Sequence, residues 1–293
     1  MRWYIKKPRV PMIFAYWDSD DHGILTEMIS AWRAHFPEFR VLGDRDMLSL
    51  IERRHSPEDV DLYKCIRLPN VKSDIARYLA LYEFGGLYVD CHSGIRNVFE
   101  LRHLLERLND YEAIFIDRRN SFFPRPPGEH FLIGSPIYGR RHSEVFMILA
   151  RRAFANLAWQ QHLEQQYGYV SYHCSRLTGP ALITEVVLEP GSCARDVRSD
   201  FAGRILIVPE ETAPVVRNVY TAYKAAETHW SVRQLNETLF EPVGEPAPSR
   251  DVYFHNLFHA RYLAARARIS AEMESLRQAE DDAARPGPQG AGG

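Results

Sequence analysis

Short apolar runs and longer segments with helical periodicity alternate along the first part of the chain. Residues 11–16 and 39–42 are apolar enough for buried strands, whereas 24–36 and 47–54 place apolar side chains at helical spacing. Alternation of strand and helix predicts parallel strand pairing, in a sheet covered by helices on both faces. In such open sheets ligands bind beyond the carboxyl ends of the strands. Trp17, which directly follows the first predicted strand, is therefore a candidate binding residue, and the alternative is a Trp that packs at the edge of the core.

Residues 72–92 are the most informative segment, because they predict a helix, a glycine turn and a short strand in sequence. Ser73 is expected to cap the helix, with Asp74 in its first turn. Gly85 suits the left-handed position that ends a helix, and Gly86 permits a sharp turn. The apolar positions at helical spacing are Ile75, Ala76, Leu79 and Tyr82.

The predicted strand over residues 87–91 ends on two side chains that can bind a metal. Tyr88, Asp90 and His92 share one face of it, and same-face neighbours lie about 6.5 Å apart. A carboxylate oxygen and an imidazole nitrogen suit Mn²⁺, Zn²⁺ or Fe²⁺ better than Mg²⁺ or Ca²⁺. The alternative is a solvated strand end with no ligand.

Asp74 and Arg77 lie on one side of the predicted helix, because they are three residues apart. They can pair with each other, or they can face a ligand with one acceptor and one cation. The sequence alone leaves both arrangements open.

The same segment resembles a known family. Its Ser-Asp-Ile-x-Arg-Tyr, followed by Leu-Tyr-x-x-Gly-Gly-x-Tyr-x-Asp, is similar to the sugar-binding region of the Asp-x-Asp glycosyltransferases. That group includes initiating mannosyltransferases, capsule and lipopolysaccharide transferases, and glucosylating toxins. The resemblance implies a GT-A-like nucleotide-diphospho-sugar transferase fold of the α/β class, with a central, mostly parallel sheet covered by helices.

The resemblance also implies roles for individual residues. Nucleotide-sugar contacts are expected from Trp17, Asp74, Arg77, Tyr88 and Asp90. The catalytic centre and its metal are expected at Asp90 and His92, and the metal is Mn²⁺, with Mg²⁺ as the alternative. His92 stands where the family has its second Asp. This departure predicts an altered metal preference, a domain that binds without catalysing, or a subgroup that works differently.

A late histidine is expected to complete the metal site, as transferases of this fold commonly use a C-terminal His or Asn there. His255 ends a predicted strand at 250–255, whereas His229 lies in a helical or loop-like stretch. Because strand ends direct side chains to the ligand crevice, His255 is preferred.

Composition indicates which partners and which cellular compartment to expect. With 45% apolar residues and a formal net charge of −2, the chain has no basic stripe of the kind that binds nucleic acid. Four cysteines form no C-x-x-C pair, which fits a reducing cytoplasm, and no apolar run approaches the ~18 residues that span a bilayer. We expect a cytoplasmic protein, and peripheral contact at the inner membrane face is compatible with the sequence.

Three regions are predicted along the chain. Residues 1–259 are expected to form the catalytic domain, 260–284 a charged helix with a thin apolar seam, and 285–293 a disordered Pro/Gly-rich tail.

The leading hypothesis is a metal-dependent transferase that moves a hexose from a UDP- or GDP-hexose to a glycan or lipid-linked acceptor, as in capsule or lipopolysaccharide synthesis. The resemblance implies retention of the anomeric configuration. Two alternatives stay open: a toxin-like effector that glycosylates a protein, and a non-catalytic domain that binds nucleotide sugars.

Overall fold

The computed structural model describes residues 11–118, 132–189, 196–212, 214–221 and 229–241. The strands in these ranges are β1 Ile13–Tyr16, β2 Arg40–Leu42, β3 Gly86–Tyr88, β4 Ser93–Ile95, β5 Ala113–Asp117, β6 Leu132–Gly139, β7 Ile205–Pro209 and β8 Val216–Asn218. The α-helices are α1 Thr26–His35, α2 Asp44–Arg54, α3 Pro57–Lys64, α4 Pro69–Phe84, α5 Val98–Glu106, α6 Glu144–Tyr167, α7 Cys174–Leu177, α8 Pro180–Val187 and α9 Trp230–Arg233. Short 3₁₀ helices are formed by Gly23–Leu25, Arg107–Asn109 and Ser199–Phe201.

Six strands form the central sheet in the order β2-β1-β3-β6-β5-β7. β6 is antiparallel to both of its neighbours, β3 and β5, and the other strands all run in one direction. β4 and β8 form a separate antiparallel pair. The predicted α/β class with a mostly parallel central sheet is confirmed.

Helices cover both faces of this sheet. A first core layer contains apolar residues of α2, α3, α4, α6 and α8, together with Phe14 and Tyr88 from the strands. A second layer contains α1 and α5, together with Ile13 and Leu87. Neighbouring residues of one strand therefore pack in opposite layers, as the two-residue period of a strand requires.

Helix α4 begins earlier than the sequence suggested. Pro69 occupies its first turn and Leu68 its N-cap, so the prediction that Ser73 caps the helix with Asp74 in the first turn is wrong. Pro69 suits this position because its fixed φ is helical and its missing N–H is not needed there. Ser73 instead lies within the helix, where its Oγ is 2.7 Å from the hydroxyl of Tyr88.

The glycine turn after α4 has the predicted character. Gly85 and Gly86 have φ of 68° and 105°. A Cβ on Gly86 would lie 1.9 Å from the carbonyl oxygen of Met12, so a side chain is excluded there. This close approach sets β3 directly beside β1.

Other boundaries differ from the predictions or fall outside the described residues. β3 ends at Tyr88 rather than at residue 91. The boundaries at 259 and 284, the helix at 260–284, the tail at 285–293 and the strand at 250–255 lie outside the described residues. None of the helices that the structure describes is both long and apolar enough to cross a membrane.

Candidate functional site

The site lies just beyond the carboxyl end of β3. The alternation predicted for this segment holds past the strand: Val89 and Cys91 pack in the second core layer, whereas Tyr88 packs in the first. Asp90 and His92 follow beyond the strand, with side chains 26% and 16% exposed, and Asp90 Oδ2 lies 3.7 Å from His92 Nε2. The structure therefore brings together the two residues expected to bind a metal.

Asp74 and Arg77 form an ion pair directly behind Asp90. Arg77 Nη2 is 2.8 Å from Asp74 Oδ1 and 3.6 Å from Asp90 Oδ1, and the side chains of Asp74 and Arg77 are each only 7% exposed. Of the two arrangements left open by the sequence, the pairing is the one observed. The pair is also in contact with the site, because the same guanidinium borders Asp90.

Arg77 is held on several sides. Its Nη1 donates to the carbonyl of Gly134 at 2.6 Å, and its guanidinium lies 4.8 Å above the ring of Tyr88. Arg77 Nε is buried and has no hydrogen-bond partner among the described residues. The guanidinium is thus fixed in plane and position, and its Nε–H is unpaired among the described residues.

Asp90 is oriented by neighbours on two elements. The Tyr88 hydroxyl donates to Asp90 Oδ1 at 3.0 Å, and the Asp90 backbone N–H donates to Ser135 Oγ of β6 at 2.8 Å. Because Tyr88 has one hydroxyl proton and gives it to Asp90, Ser73 is the donor in the Ser73–Tyr88 bond. The bond from Tyr88 restricts the rotation of the carboxylate, and the bond to Ser135 fixes the backbone at Asp90.

The buried charges of this network alter one another's proton affinity. Burial raises the pKa of Asp74 to about 6, whereas Arg77 and the Thr178 hydroxyl act in the opposite direction. Although burial alone would lower it, the pKa of Arg77 is raised because the Asp74 carboxylate stabilises its charge. Arg77 therefore stays a cation, facing two carboxylates.

The side chains of the site supply some of the ligands that a divalent cation needs. No group of three His, Cys, Asp or Glu side chains with metal-site spacing occurs within the described ranges. Asp90 and His92 nevertheless supply an oxygen and a nitrogen 3.7 Å apart, and two ligands at about 2.1 Å from one ion can be as far apart as about 4.2 Å. Two carboxylates against one guanidinium also leave the site with an excess of negative charge. The pair thus suits a cation that takes its other ligands elsewhere.

The late histidines do not add to this pair among the described residues. His255 lies outside them. His229 is the N-cap of α9, and its Nδ1 lies 2.8 Å from Ser231 Oγ. Whether His255 completes the site stays a prediction.

Trp17 lies at the carboxyl end of β1, as expected. Its backbone N–H donates to the carbonyl of Leu42, and its indole Nε1 donates to the carbonyl of Asp21 at 3.2 Å. The ring is partly buried against the second core layer. Its predicted contact with a nucleotide base stays a prediction.

Four residues of the network were not identified as site residues from the sequence: Ser73, Gly134, Ser135 and Thr178. Gly134 permits the approach of Arg77, since a Cβ there would lie 2.0 Å from Nη1. Thr178 lies in the turn between α7 and α8.

A family model agrees with the resemblance found in the sequence. Residues 23–111 match the family model of the glycosyltransferase sugar-binding region containing DXD motif. Among solved structures, one described as "PaToxG Glycosyltransferase" is similar over 60% of this chain and 68% of its own, with 14% identity and a TM-score of 0.39. No curated protein matches the chain. The range matched by the family model includes the network from Asp74 to His92 and excludes Trp17.

Proposed function

Because residues 23–111 match the family model of the DXD-containing glycosyltransferase sugar-binding region, we propose that this chain transfers a hexose from a UDP- or GDP-hexose to a glycan or lipid-linked acceptor. Capsule or lipopolysaccharide synthesis in the cytoplasm, or at its membrane face, is the setting we propose. The observation that carries the proposal is the Asp90–His92 pair, placed at a strand end and backed by Arg77.

In this proposal Asp90 and His92 hold a divalent cation, Mn²⁺ or alternatively Mg²⁺. Bound there, the cation would stabilise the negative charge of the departing nucleotide diphosphate. Tyr88 and Ser135 keep Asp90 oriented toward the crevice, so little reorganisation is needed when the donor binds. His255 is the proposed further ligand.

Arg77 contributes to the same chemistry from the buried side of Asp90. Its side chain is 7% exposed, so we assign it to fixing Asp90 and adding positive potential close to the diphosphate. Asp74 holds Arg77 in place, and Trp17 is the proposed contact for the base. We name no enzymatic nucleophile, in keeping with the retention of configuration that the resemblance implies.

Donor hydrolysis by the full chain tests the proposal. Release of UDP or GDP is measured over a panel of UDP- and GDP-hexoses with Mn²⁺, with Mg²⁺ or with a chelator. We expect turnover with at least one donor that depends on the added metal. Asp90→Asn, which keeps the shape of the side chain, should reduce turnover at least about a hundredfold, since it removes a charged ligand.

His92 is the residue that separates catalysis from binding. His92→Asp should retain turnover, because a carboxylate also ligates Mn²⁺, whereas His92→Ala should lose most of it. Asp61→Asn serves as a matched control, because the Asp61 side chain is 79% exposed on α3. Nucleotide binding without turnover on any donor would identify a non-catalytic domain. Absence of both would overturn the proposal.

A further inference from the structure

The Thr-Gly-Pro turn at residues 178–180 lies directly against the Asp74 carboxylate. Thr178 follows α7, and Pro180 begins α8. The Thr178 side chain is fully buried, and its hydroxyl donates to Asp74 Oδ2 at 2.7 Å. The turn therefore does more than start a helix, because it supplies a hydrogen bond to a buried charge.

The backbone of this turn is fixed from several directions. Tyr78 donates its hydroxyl to the carbonyl of Thr178 at 2.5 Å, and the Thr178 N–H donates to the carbonyl of Cys174 at 3.0 Å. A Cβ on Gly179 would lie 3.0 Å from Ser175 Cα and 3.1 Å from Asp74 Oδ2. The turn thus packs onto the carboxylate so closely that the Thr178 hydroxyl has little freedom to move away.

Each oxygen of Asp74 has its own partner. Oδ1 pairs with Arg77, and Oδ2 accepts only the Thr178 hydroxyl among the described residues. A buried carboxylate that loses a donor is destabilised and rotates toward whatever donor remains. Arg77 Nη2 also lies 3.6 Å from Asp90 Oδ1, so such a rotation of Asp74 would shift the guanidinium relative to Asp90.

We propose that Thr178 is a positioning residue, which holds Asp74 so that Arg77 stays aligned with Asp90. The inference rests on the proposed function of Asp90 in binding the nucleotide-sugar donor. It assigns the second half of the chain a part in the site, since Thr178 lies 104 positions from Asp74.

Two substitutions separate the hydroxyl from the shape of the side chain. Thr178→Val keeps the shape, and Thr178→Ser keeps the hydroxyl. Binding of UDP and of GDP to the full chain is measured by calorimetry with Mn²⁺, beside the thermal midpoint. We expect Thr178→Val to weaken nucleotide binding about tenfold, because a hydrogen bond to a charge is lost, and Thr178→Ser to restore it. If Thr178→Val does not fold, Thr178→Ala is measured instead, with the same expectation.

Thr238→Val is the matched control, because the Thr238 hydroxyl accepts from Arg67 at 3.1 Å and has no bond to the Asp74 network. It should leave nucleotide affinity unchanged. A loss of thermal stability without loss of affinity in Thr178→Val would show a merely structural role and overturn the inference.

A double variant tests whether Thr178 acts through Asp74. If it does, Thr178→Val combined with Asp74→Asn should bind nucleotide no more weakly than Asp74→Asn alone. Additive losses, or failure of Thr178→Ser to restore binding, would overturn the inference while leaving the proposed function intact. Absence of nucleotide binding by the unaltered chain would instead refute the proposed function, and this inference with it.

Discussion

Tyr88 combines two interactions in one side chain. Its ring lies beneath the guanidinium of Arg77, and its hydroxyl joins Ser73 to Asp90. The ring is buried in the first core layer, which fixes where the hydroxyl can point. Removing the hydroxyl alone therefore changes the support of Asp90 and leaves the packing in place.

Tyr88→Phe should weaken Mn²⁺-dependent nucleotide binding about tenfold, because Asp90 loses a donor to its charged oxygen. Calorimetric titration with UDP or GDP measures the effect, and urea unfolding should show a stability loss of about 1–2 kcal/mol. Tyr138→Phe is the control: the Tyr138 hydroxyl is buried without a hydrogen-bond partner among the described residues, so its removal should not destabilise the fold. Unchanged affinity in Tyr88→Phe would contradict the assigned role.

Residues within one local segment were predictable, and residues contributed from afar were not. Asp74, Arg77, Asp90 and His92 fall in one helix–turn–strand unit, so their proximity follows from local periodicity and the glycine turn. Gly134 and Thr178 reach the site only through the pairing of β6 with β3 and the packing of the turn before α8. No short motif encodes those tertiary contacts.

At the scale of elements, hydrophobic periodicity located several strands and helices but not the direction of every strand. The strand predicted at residues 11–16 contains β1. The antiparallel direction of β6 could not be predicted, because an apolar run reads the same in both directions. The start of α4 was misplaced for a related reason, since Ser73 and Pro69 both carry helix-start signals and only packing decides between them.

The buried carboxylate of Glu164 on α6 binds the backbone of the segment 229–241. Glu164 Oε1 accepts from the backbone N–H of Leu239 at 2.9 Å, and Oε2 accepts from that of Phe240 at 3.1 Å. Gln160 also donates to Oε1, at 2.9 Å. Since the acceptor is a carboxylate, these bonds are stronger than those of a neutral side chain.

Glu164→Gln should loosen this attachment, because an amide group offers one oxygen and turns an N–H₂ toward a backbone donor. We expect a stability loss of about 2–3 kcal/mol and faster hydrogen exchange at the amides of Leu239 and Phe240. Glu185→Gln is the control, since Glu185 is 64% exposed and pairs with Arg152 at the surface. Equal exchange rates in Glu164→Gln and the parent chain would show that the segment is held by other contacts.

At the scale of the whole molecule, His55 connects three helices of the first core layer. It ends α2, its Nδ1 lies 3.3 Å from Asp59 of α3, and its ring lies 4.8 Å from that of Phe154 on α6. The side chain is only 4% exposed. Burial lowers the pKa of His55 below its ordinary value of 6.5, although Asp59 acts in the opposite direction. The fold therefore favours the neutral imidazole.

Global stability should consequently fall as the pH drops below about 6.5, because the unfolded chain then binds a proton that the folded chain resists. His55→Gln removes this proton uptake, so its loss of unfolding free energy between pH 7.5 and 5.5 should be smaller than that of the parent chain. Urea unfolding at each pH measures both.

His35→Gln, at an exposed position on α1, should leave the pH dependence of the unfolding free energy unchanged. Burial also lowers the pKa of His173, so His55→Gln should still lose part of its unfolding free energy between pH 7.5 and 5.5. An identical pH dependence in His55→Gln and the parent chain would show that His55 does not couple the helices to pH.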